Sequence, residues 1–139
     1  MNNTTPIQYD QFDDFTKAYI VAALWSSTDN ADESGGEPLD SNYDETNIHE
    51  DSLQSIYEDC KKFQDENRQH WVGKENGRGE WNVDQQAGHD FWLTRNGHGA
   101  GFWDCDRPYG EDAGELLSEA SRSLGQVNPI VENDVIHFE

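Results

Sequence analysis

The sequence predicts an α+β fold in which two or three amphipathic helices pack on a small antiparallel sheet built around a β-hairpin at about residues 89–104. Three observations predict it. Phe12, Phe15, Tyr19 and Ala22, and later Leu53, Ile56, Cys60 and Phe63, recur at the spacing that puts apolar side chains on one helix face. Asn96-Gly97 stands between the apolar runs Phe91-Trp92-Leu93 and Phe102-Trp103. That is the strongest short-range hairpin signal, because both turn residues accept the positive φ of a type I′ turn. In the tail, Pro129 to Val131 and Val135 to Phe138 alternate as two short strands around Glu132-Asn133-Asp134.

Thr5-Pro6 with Gln8 reads as an N-cap, a proline at the first helical position and a capping-box partner, opening a helix over about 6–25. Its aromatic stripe is core rather than a ligand site. Residues 26–47 hold seven carboxylates and no base, which makes a long acidic loop inside a single domain, 1–139, with Leu39 and Tyr43 pinning it to the body. The alternate positions Asp29, Ala31 and Glu33, with Asp40 in the twelfth place, do not fit an EF-hand loop. Asn47 with Glu50 forms a second capping box and opens a helix over about 48–70, on whose apolar stripe Cys60 is an inert thiol.

Residues 72–87 read as a loop anchored by Trp81. In the hairpin, Arg95 faces His98, Leu93 faces Ala100, Phe91 faces Phe102 and His89 faces Asp104, while Trp92 lies over a glycine backbone. A third helix follows at 111–124, with Leu116, Leu117, Ala120 and Leu124 facing in and Gly125 as its stop. The tail strands then extend the hairpin into a sheet of three or four strands.

Charge narrows the function. The chain carries 29 Asp and Glu against 9 Lys and Arg, a net charge of −20. A compact chain of this length is about 37 Å across, and the same length of duplex DNA carries roughly 22 negative charges. Comparable densities argue against nucleic acid or an anionic membrane as a direct partner and for a basic protein surface. Solubility alone would also account for acidity. Only 33% of residues are hydrophobic, but 12% are aromatic, so the expected core is small and ring-rich. Two distant cysteines, Cys60 and Cys105, do not make a disulfide framework, and the first residues lack a basic segment followed by an apolar one, so a cytoplasmic protein is expected.

Chemistry is sparse. His89 with Asp104 would make a dyad at the hairpin base, with Arg95 and His98 at its tip. These four are the candidate ligand site, and they support the alternative of a small hydrolase or a metal- or ligand-binding protein. His98 lies more than about 10 Å from His89 in that register, too far to share a metal. No nucleophile elbow and no phosphate-binding glycine loop are present, so no catalytic residue, metal or cofactor is assigned.

Two blocks, Ala23-Leu24-Trp25-Ser26-Ser27-Thr28-Asp29 through Ser34-Gly35-Gly36-Glu37-Pro38-Leu39-Asp40 with Asn42-Tyr43, and Ala87 to Asp104, resemble an uncharacterised family of small, acidic, mostly phage-encoded proteins. The resemblance covers most of residues 20–125 and implies a phage origin and a host cytoplasmic setting; it brings no catalytic residues. With the charge, it leads to the expectation of a stoichiometric binder, a nucleic-acid mimic or inhibitor of a basic host defence protein of restriction, CRISPR or nuclease type. The contact surface would be Asp29, Asp32, Glu33, Glu37, Asp40, Asp44, Glu45, Asp51, Glu58 and Asp59. A virion or assembly component is a further alternative, and self-association is left open.

Overall fold

Asp13, Asn82 and His49 each sit in extended backbone immediately before a helix and accept a backbone N–H from its first turn, so three helices begin on a side-chain cap. The computed structural model describes residues 9–27, 39–41, 43–72, 82–97, 102 and 111–139. Its helices are α1 (Asp14–Ser26), α2 (Glu50–Asn67), α3 (Val83–Arg95) and α4 (Glu111–Ser123), followed by strands β1 (Pro129–Glu132) and β2 (Val135–Phe138). Single 3-10 turns lie at Tyr9–Gln11, Leu39–Ser41, Glu45–Asn47 and Arg68–His70. The fold is a small α+β arrangement of helices with an antiparallel hairpin.

α1 and α3 form the centre. Asn82 Nδ2 donates to Asp14 Oδ2 at 2.9 Å where both begin, and Trp92 Nε1 donates to Ser26 Oγ at 2.8 Å towards their ends, so the two run parallel. Their closest approach needs Gly88, where a Cβ would stand 1.9 Å from the Phe15 carbonyl oxygen. Around that crossing the core is built from rings: Phe63 stacks on Phe91 at 4.1 Å, Phe15 on Trp71 at 5.5 Å, and Tyr19 meets Trp92 edge-on at 5.2 Å. Aromatic area thus replaces the aliphatic side chains the composition lacks.

β1 and β2 pair with Pro129 opposite Phe138 and Glu132 opposite Val135. The turn residues Asn133 and Asp134 have φ of 54° and 62°, the left-handed values of a type I′ connection. The outer edge of β2 is covered by the start of α2: His49 N–H donates to Ile136 O, and Phe138 N–H to Ser52 Oγ, both at 2.9 Å. Leu39 is fully buried and Tyr43 Oη donates to Asp134 Oδ1 at 3.1 Å, so these two residues do tie the acidic segment to the body.

The hairpin expected at 89–104 does not form. Residues 83–95 are helical, Asn96 caps that helix, and Gly97, with φ 73°, ends it in left-handed backbone. Asn-Gly serves here as a helix stop. The misreading has a physical cause: every residue from Gln86 to Arg95 is buried, and a helix buried on all sides shows no 3.6-residue stripe to separate it from a buried strand. Trp92 accordingly packs on Tyr19 and Ser26, and Phe102 N–H donates to Thr94 Oγ1 at 3.0 Å instead of facing Phe91 across a ladder. The partners His98, Ala100 and Asp104 lie outside the described residues.

Other corrections are smaller. Among the described residues the sheet has two strands, extended by one isolated Ile48–Ile136 bridge, rather than three or four. The loop proposed for 72–87 gives way to α3 from Val83, with Trp81 outside the described residues. The cap of α1 is Asp13; the Thr5-Pro6 signal lies outside the described residues. Asn47 pairs with Asp44 in a capping box of its own turn and leaves His49 to cap α2. Leu116 points to solvent, whereas Leu117 is fully buried.

Candidate functional site

Of the ten carboxylates expected at a contact surface, Asp29, Asp32, Glu33 and Glu37 lie outside the described residues. Asp40, Asp44, Asp51 and Glu58 are exposed, and Glu45 is half-buried. Asp44 accepts from Thr46 Oγ1 and from Thr46 N–H, and these bonds hold its carboxyl below the usual range. Asp59 is engaged internally, 2.9 Å from Arg95 Nη1.

Asp44, Glu45, Glu50 and Asp51 gather where the 3-10 turn Glu45–Asn47 runs into α2, and the N-terminus of a helix favours such charges. Beside them is a groove of about 430 Å³ with walls that include Asp10, Glu45 and Glu50 over Tyr9, Ile48 and Leu53. Among the described residues its lining contains no basic side chain. Burial, and then the charge of Glu45, raises the Tyr9 hydroxyl above its ordinary pKa, so it stays a neutral donor. A second groove, about 440 Å³, differs in kind: its Lys61 and Arg68 are already opposed by Asp65 at 3.1 Å and Asp84 at 3.5 Å.

The expected ligand set resolves into separate environments. His89 and Arg95 share α3 but stand six residues apart, about 9 Å along its axis, and both are buried. Asp104 and His98 lie outside the described residues. His89 stacks on Trp25 at 5.6 Å, with its Nδ1 3.6 Å from Asp90 Oδ1. Arg95 is an anchor: Nε donates to Gly125 O, Nη2 to Leu124 O, and Nη1 to both Tyr19 Oη and Asp59 Oδ2, at 2.9 to 3.1 Å. Burial works against its charge, but Tyr19 and Asp59 outweigh that and hold the guanidinium firmly protonated.

Two features escape a reading by hairpin register. Gln86 Nε2 donates to both oxygens of buried Asp90, at 3.0 and 2.9 Å, an i,i+4 pair that only a helical reading brings together. Trp25 is 45% exposed although it directly follows the buried run Ala22-Ala23-Leu24. Cys60 is fully buried and burial pushes its thiol well up, so it is inert as expected. Among the described residues no group of three His, Cys, Asp or Glu is placed to hold a metal, and no helix is long and apolar enough to cross a membrane.

No protein-family model, curated protein or solved structure matches the chain.

Proposed function

We propose that this chain is a stoichiometric binding protein of phage type whose acidic surface occupies the basic cleft of a host nucleic-acid-binding protein. The observation that carries the reading is the groove edged by Asp10, Glu45 and Glu50, with no cation among the described residues that line it, beside exposed Asp44 and Asp51, on a chain of net charge −20. A concentration of exposed carboxylates favours Lys and Arg of another molecule and gives fast, salt-sensitive association. The resemblance to phage-encoded proteins supplies the setting, in which blocking a restriction, CRISPR or nuclease protein has a use.

The test is capture from host lysate on the immobilised chain. A basic nucleic-acid-binding protein should be retained at low salt, released by moderate salt and displaced by duplex DNA. Capture that neither salt nor DNA disturbs, or the absence of any such protein among those retained, counts against the reading. Substituting Glu45 and Glu50 together by Gln should weaken capture without altering the far-ultraviolet circular dichroism.

A further inference from the structure

Val21 and Trp25 remain 47% and 45% exposed, one turn apart on a single stripe of α1. Behind the indole lies His89, stacked at 5.6 Å with the ring planes 26° apart, and only 8% exposed itself. Trp25 is therefore a ring backed by a second ring that is fixed in the body of the protein. Large aromatics held in this way are the commonest anchors of protein interfaces, because little side-chain freedom remains to be lost on binding.

Charge indicates what covers it. Leu39 N–H donates to Ser27 O at 2.9 Å, two residues beyond Trp25, which brings exposed Asp40 to this end of α1. Elsewhere the chain sets cations against rings, Lys17 Nζ 5.6 Å from Tyr9 and the Arg95 guanidinium 5.3 Å from Phe91; among the described residues none lies over Trp25. On a chain of net charge −20 an exposed indole face attracts a cation, and a guanidinium suits it best, since it stacks flat on the ring. A second copy of this chain would bring another −20 and be repelled.

We propose that the exposed side of Trp25, continued by Val21, is the docking point for an arginine side chain of the basic partner. The inference rests on the acidic-binder reading and names the residue that anchors it. Nona-arginine and nona-lysine are titrated calorimetrically against the full chain and its Trp25→Ala and Trp25→Phe variants. Nona-arginine should bind the wild type more tightly than nona-lysine. Trp25→Ala should weaken nona-arginine by roughly two- to fivefold and nona-lysine less, Trp25→Phe should recover part of the loss, and the Trp25 indole N–H resonance should move when nona-arginine is added. Should Trp25→Ala lose its fold, Trp25→Leu keeps apolar cover over His89 and carries the same comparison. Equal losses for the two peptides, no loss at all, or an unmoved indole resonance overturns the proposal and leaves the acidic-binder reading standing. If neither peptide binds the wild type, that reading falls and the proposal with it.

Discussion

Arg95 links four helices through one side chain, because it stands on α3 and bonds Tyr19 of α1, Asp59 of α2 and the carbonyls of Leu124 and Gly125 at the end of α4. Carbonyls at a helix C-terminus lack intrahelical donors, and a guanidinium supplies two in a fixed fork. Replacing it with methionine leaves those carbonyls and the Tyr19 hydroxyl without a buried donor, for a loss of about 2–4 kcal/mol. Asp59→Asn should cost about 1 kcal/mol or less, since Asp59 is half-exposed and water takes over part of its role. Urea unfolding of both variants checks the order; equal losses would show that the ion pair, not the carbonyl bonds, dominates. Tyr19 adds a pH dependence. Burial, only partly offset by Arg95, raises its pKa far above the ordinary value. Below about pH 10 the phenol is protonated folded and unfolded alike. As pH rises above that, the unfolded chain releases the proton while the folded chain keeps it, so stability falls. Tyr19→Phe should flatten this alkaline limb in pH-dependent urea midpoints.

Helix packing turns on two glycines inside helices. Gly88 sits inside α3 and Gly114 inside α4, where alanine would ordinarily gain up to about 1 kcal/mol through helix propensity. Here a Cβ at Gly88 would meet the Phe15 carbonyl oxygen at 1.9 Å, and one at Gly114 would meet the Phe102 carbonyl oxygen at 2.8 Å. Gly88→Ala should therefore destabilise by about 3 kcal/mol or more, and Gly114→Ala by about 1–2 kcal/mol, both against the propensity trend. A gain in thermal midpoint for either would contradict the close approach. These same contacts show where the sequence could be read and where it could not. α2 was legible because Leu53, Ile56, Cys60 and Phe63 face the core while Gln54, Glu58 and Lys61 face water. The β1–β2 hairpin was legible from its alternation. α3 was not, because it is buried on every side from Gln86 to Arg95 and its capping box, Asn82 with Gln85, lies upstream of the apolar run Phe91-Trp92-Leu93. The site divides in the same way: exposed carboxylates declare themselves by composition, whereas the burial of Arg95 and the exposure of Trp25 depend on which helix faces meet.

At the scale of the whole molecule, acidity pulls stability and binding in opposite directions. Twenty uncompensated negative charges repel one another most strongly in the compact state, so dilute buffer destabilises the fold and added salt restores it. Raising sodium chloride from about 10 to about 150 mM shortens the screening length from roughly 30 to 8 Å, and the thermal midpoint should rise across that range. If the acidic face engages a basic partner, the same change should weaken the complex, because the attraction being screened is then intermolecular. Glu45→Gln with Glu50→Gln sharpens the contrast. Removing two charges from the groove relieves repulsion, so the double variant should lose less stability than the wild type in dilute buffer while its complex should lose affinity at every salt concentration. Charges that served only to keep the chain soluble would produce the first effect without the second. Thermal melts and binding isotherms recorded in the same salt series therefore separate the two roles. A complex with an affinity indifferent to both salt and the double substitution would leave the carboxylates with solubility alone.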